Sequence, residues 1–169
     1  QDTKEKVRDI FKIDLLTPPD SGGPNVEHIL NPMRFNLLLL DFNKLRAGFN
    51  RKFPIVCEPQ GVLAAFVSNN FRDETVHVVT PRYFALNEDR RAVTLVHERA
   101  HTVLRAAGHP GTGDVPACIE PHKGFPGLTY DEAVKNAWCY EWLTASLQSN
   151  YTPGRFADLG GCHLAGRAS

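Results

Sequence analysis

His97-Glu98-Arg99-Ala100-His101 sets two imidazoles and a carboxylate at the spacing H-E-x-x-H. On a helix, residues i and i+4 share a face, so both rings can reach one cation without bending the backbone. Glu98 lies about 100° round the helix from His97, beside such a cation rather than facing it. Imidazole nitrogens ligate zinc, which lowers the pKa of a coordinated water towards ~7. A neighbouring carboxylate can take that water's proton as it attacks a carbonyl. Composition alone would produce the pattern in roughly 1–2% of shuffled chains of this length, so its surroundings have to support it.

The surroundings do. Asn87-Glu88-Asp89 offers an N-cap followed by acids in the first turn, where the helix dipole favours them. The helix so started is predicted to run to about Ala107, with Gly108 and Pro110 supplying the stop. Upstream, Thr75–Thr80 is β-branched and halted by Pro81, the clearest strand signal in the chain. Pro54–Cys57 and Gly61–Val67 read as further strands, and His77 as a strand-face residue rather than a ligand.

Nearer the start, Thr3 to about Ile13 places Val7, Ile10, Phe11 and Ile13 on one helical face, and Thr17–Pro24 is a turn-rich linker. Asn31-Pro32 reads as an N-cap with proline at the first helical position. Phe35, Leu38, Leu39, Phe42, Leu45 and Phe49 then form a buried face. Gly111–Gly127 holds four glycines and three prolines and reads as a long loop of the kind that often carries function. A last helix begins near Asp131 and takes in Ala133, Ala137, Trp138, Tyr140, Glu141, Trp142 and Leu143. Trp138 and Trp142 are expected in the core or a cleft wall, and Arg99 and Arg105 at solvated helix positions. The expectation is one α+β domain over residues 1–169: a mixed sheet packed on an active-site helix, with residues 1–24 as an N-terminal helix and linker.

The stretches Val76–Phe84 and Ala92–Glu98 resemble the edge strand and active-site helix of zincin metallopeptidases. The resemblance implies a zincin-like fold, with His97 and His101 as zinc ligands and Glu98 as general base. It is not the metzincin pattern, which needs glycine and histidine where this chain has Leu104 and Ala107. Two carboxylates compete for the third ligand. Glu132 resembles the helix-borne glutamate of gluzincins, with Asn136 four residues on to brace a histidine. Asp114, in Gly111-Thr112-Gly113-Asp114, resembles the G-T-x-D of aspzincins, and Ala133–Glu141 is similar to their later A-V-x-N-A-D-x-Y helix. That family continues G-T-x-D with x-x-Tyr-Gly where this chain has Ala117-Cys118, and Trp138 stands at its helix's aspartate. For a donor to the tetrahedral oxyanion, Tyr130, His122, His109 and Tyr140 lie near the right segment.

Composition narrows the partners. Nineteen Lys+Arg balance nineteen Asp+Glu, a formal net charge of zero, which argues against nucleic acid. No apolar run, Leu37–Leu40 included, approaches the roughly 20 residues of a transmembrane segment. The expected partner is a protein or peptide substrate. Cys57, Cys118, Cys139 and Cys162 show no C-x-x-C spacing, and their number favours an oxidising compartment.

The chain opens at Gln1 without a leader, as a piece processed or excised from something longer would. In that it resembles the peptidase tips of type VI secretion spike (valine-glycine repeat) proteins. This would make it a secreted toxin or effector carried on a larger secretion protein and delivered to a periplasm or target cell. Two rivals use the same residues otherwise. A zinc amidase or deformylase would add Cys57 to the histidines, and a non-catalytic metal-binding interaction module would keep the helix without hydrolysis.

Overall fold

A computed structural model describes residues 2–16, 26–67, 74–104 and 128–148. Helices α1 (Thr3–Phe11) and α2 (Val26–Asn50) come first, then strands β1 (Ile55–Glu58), β2 (Ala65–Val67) and β3 (Val76–Val79). Helices α3 (Thr80–Ala85) and α4 (Glu88–Arg99) follow, and α4 runs on into a π turn, Ala100–Leu104. Two helices, α5 (Tyr130–Ala133) and α6 (Ala137–Ser146), close the described part. The class is α+β, with no helix among the described residues long and apolar enough to cross a membrane.

The sheet is mixed, in the order β1-β3-β2. Strand β3 pairs parallel with β1, Val56 opposite His77, and antiparallel with β2, Phe66 opposite His77. Alternation along β3 therefore divides its faces. Val76 and Val78 pack with Ala65 and Tyr83 against Leu95 of α4. His77 faces away, stacked on Phe66 at 4.8 Å, with Nδ1 2.7 Å from Glu58 Oε1. It is the strand-face residue its context predicts.

On its other side α4 meets a helical layer. Val93, Ala100, Val103 and Leu104 join Val7, Ile10 and Phe11 of α1, Leu38 and Leu45 of α2, and Tyr140, Trp142 and Leu143 of α6 in one buried cluster. The helix that carries the histidines is thus packed on both sides. It starts as its sequence asks, the Asn87 side chain accepting from the Arg90 N–H at 2.9 Å.

Several sequence expectations need correction. Helix α2 starts at Val26, not after Asn31, and carries Pro32 in its interior. Proline removes one ladder bond, and Arg34 reaches back over it to Glu27 at 2.7 Å, tying together the turns on either side. The buried stripe holds Asn31, Leu38, Asp41, Leu45 and Gly48, with Phe35 and Phe42 packed beside it. Leu39 and Phe49, each about 100° from a stripe residue, are exposed.

The last helix is two. Ala133 ends α5, the Lys135 and Asn136 N–H groups turn back to the Glu132 and Ala133 carbonyls, and Asn136 caps α6 by accepting from the Trp138 N–H at 3.2 Å. An asparagine side chain that competes for backbone donors is a physical reason for the break.

Candidate metal centre

The two histidines meet. His97 is the tenth residue of α4 and His101 the second of the π turn, and both are buried. Their Nε2 atoms face each other at 3.2 Å with the rings nearly perpendicular (81°). Two nitrogen lone pairs repel at that distance unless something positive lies between them, a shared proton or a shared cation. A tetrahedral zinc with Zn–N bonds of ~2.0–2.1 Å holds two ligand nitrogens roughly 3.3 Å apart, so the pair fits one zinc closely. Glu98 is only 6% exposed. The π turn has a local cause: the Thr102 hydroxyl donates to the Arg99 carbonyl at 3.3 Å, drawing it from the regular ladder.

A carboxylate unnoticed as a site residue in the sequence stands behind His97. Glu141 of α6, 2% exposed, places Oε2 3.1 Å from His97 Nδ1, within ion-pair distance though out of line for a straight hydrogen bond. The Trp138 ring closes on the same imidazole at 4.4 Å and packs against the helical core. The signal in the sequence was Glu141 itself, the one charged residue in Ala137–Ser146.

Arg99 is not solvated. Its side chain is fully buried, with Nη2 2.9 Å from Glu74 Oε2 and 3.1 Å from the Gly48 carbonyl, and Nη1 donating to Thr102 Oγ1 at 3.2 Å. The guanidinium lies over the Phe53 ring at 4.3 Å. It faces α2 and the entry to β3, opposite the work of its neighbours in the motif. A Cβ at Gly48 would sit 2.6 Å from Val103 Cγ2 and 3.1 Å from Arg99 Nη2, so glycine lets the π turn pack closely here.

The candidates for a third ligand fare differently. Glu132 sits three residues after Thr129, whose N–H and Oγ1 lie 2.8 and 3.0 Å from Oε2 of the same carboxylate, a capping box at the start of α5. The helix break places Asn136, four residues on, at the N-cap of α6 rather than on the same helix as Glu132. Asp114 lies outside the described residues, as do His109, His122 and Arg105. Among the described residues no third His, Cys, Asp or Glu joins the two imidazoles in a group able to hold a metal. Cys57 is exposed on β1.

Of the oxyanion candidates, Tyr140 is a core residue. Its hydroxyl lies within hydrogen-bond distance of Asp41 Oδ2 (3.1 Å) and the Val134 carbonyl (3.0 Å). Burial first, and then the Asp41 carboxylate, push it far above the usual phenol range. Tyr130 stands under the Arg34 guanidinium at 4.7 Å, its hydroxyl raised mainly by burial.

Compared with known protein families, with curated proteins and with solved structures, the chain matches none of them.

Proposed function

We propose that this chain is a zinc-dependent metallopeptidase of zincin-like fold that hydrolyses a peptide bond in a protein or peptide substrate. The observation that carries the reading is the 3.2 Å approach of two buried imidazole nitrogens with a buried glutamate between them in sequence. His97 and His101 would hold zinc through Nε2, with a third ligand from Asp114 or Glu132. To serve, Glu132 would have to release its contacts to Thr129, a cost of roughly 1–2 kcal/mol in lost capping. When bound, zinc supplies Lewis-acid polarisation and a water acidified towards ~7. Glu98 receives a proton on a carboxylate oxygen and passes it to the departing amine nitrogen. It does so where water is scarce and electrostatic interactions are correspondingly strong. Trp138, against His97, would form the cleft wall.

Metal content of the purified chain, read by mass spectrometry, tests this. The wild type should carry about one zinc and His101→Ala essentially none. Glu98→Ala should keep the metal and lose peptidase activity by roughly 10²–10⁴-fold. Asp114→Ala and Glu132→Ala should part company, only the true ligand's loss weakening zinc affinity by several orders of magnitude. A folded wild type that takes up no zinc even when it is supplied would refute the proposal, leaving His97 and His101 sharing a proton.

A further inference from the structure

The imidazole of His97 is held from three sides: the perpendicular His101 ring, the Trp138 ring, and the Glu141 carboxylate at Nδ1. The third contact asks for an explanation. Glu141 is the one charge on an otherwise apolar and neutral-polar helix, and its neighbours Tyr140, Trp142 and Leu143 belong to the core. A carboxylate in such a place loses several kcal/mol of hydration and persists only against a compensating partner.

We infer that Glu141 is a positioning residue for His97: its carboxylate keeps the ring proton on Nδ1, so that the Nε2 lone pair is the one turned towards His101. A negative charge 3.1 Å from Nδ1 favours a hydrogen there. Nδ1 and Nε2 lie on opposite sides of the imidazole, so a carboxylate seated at the first does not reach a cation at the second. Glu141 therefore acts through the ring and is not itself the missing ligand. Carboxylates placed behind a metal-binding histidine fix its tautomer and plane, and their loss typically weakens metal binding 10–100-fold. The purpose of this arrangement rests on the metallopeptidase reading; the tautomer assignment rests on the Glu141–His97 contact alone.

The test therefore begins without metal. Long-range proton–nitrogen correlation on the ¹⁵N-labelled, metal-free full chain at neutral pH reads the His97 tautomer, with His97→Gln assigning the signal. The wild type should show hydrogen on Nδ1. Glu141→Met, which removes the acceptor at similar volume, should shift the ring towards the Nε2–H form that free imidazole prefers. Glu141→Gln retains size and polarity should Met disturb the fold, and it should give a mixed population. Zinc affinity, measured by competition with a chelator, should fall roughly 10–100-fold in both variants.

A wild-type His97 found as Nε2–H or doubly protonated overturns the inference, as does a tautomer indifferent to both substitutions. The two readings fail separately. A chain that binds no zinc yet shows the Glu141-dependent tautomer refutes the peptidase and upholds the assignment. A chain that binds zinc with a Glu141-independent tautomer does the reverse.

Discussion

Tyr140 shows how a polar side chain near a site can belong wholly to the core. Its ring meets Phe11 edge-on at 5.1 Å and Phe42 at 5.4 Å, and its hydroxyl is taken up by Asp41 and Val134. Removing the hydroxyl in Tyr140→Phe should cost roughly 1–2 kcal/mol at neutral pH, read by urea unfolding. The pH dependence has a definite sign. In the unfolded chain the phenol ionises near ~10, whereas in the fold burial and Asp41 keep it neutral well beyond that. The unfolded form thus gains by losing a proton, and stability falls as pH rises above ~10, by up to about 1.4 kcal/mol per pH unit for this one group. Tyr140→Phe should lose that part of the slope. An alkaline profile unchanged by the substitution would mean that the hydroxyl is solvated rather than held.

At the scale of elements, Arg99 fastens the π turn to its neighbours. The turn presents His101 to His97. Arg99 links it to Gly48 at the end of α2 and to Glu74 before β3. Glu74 sits at φ 54°, a left-handed conformation that costs a non-glycine residue roughly 1–2 kcal/mol. Its carbonyl and carboxylate both lie towards the guanidinium, an arrangement that can hold this strain in place.

Arg99→Met strips partners from Gly48 and Thr102 while leaving Glu74, which is partly solvated, to be rehydrated. A loss of about 2–4 kcal/mol is expected. Arg99→Lys keeps the charge but loses the planar fork and much of the stacking on Phe53, and should recover only part of it. Hydrogen exchange should quicken selectively across residues 97–104 in both. Uniform quickening throughout the chain would instead make Arg99 an ordinary contributor to global stability.

At the scale of the molecule, α4 lies between the sheet and the helical layer, so its position is fixed by two packed surfaces at once. Helix α2 forms one wall of the layer with a single face. Leu38 is 2% exposed and Leu40, two residues on, is 54% exposed. Leu38→Ala should therefore cost about 2–5 kcal/mol and Leu40→Ala within about 0.5 kcal/mol. Comparable losses from both would show that the outer face of α2 is covered in solution. Val26, Ile29, Met33 and Leu37 lie exposed with Leu40 on the same helix.

What the sequence determined by itself is local. The Asn87 cap, the β-branched strand ended by Pro81, and two histidines one helical turn apart were legible because each depends on residues within about four positions. The tertiary structure decided the rest: which stripe of α2 turns inward, that Arg99 is buried, that the last helix breaks at Asn136, and that Glu141 comes up against His97. A charged side chain reads as solvated in any local window. Only packing decides whether a distant partner makes its burial affordable, and Arg99 and Glu141 both found one across an element boundary.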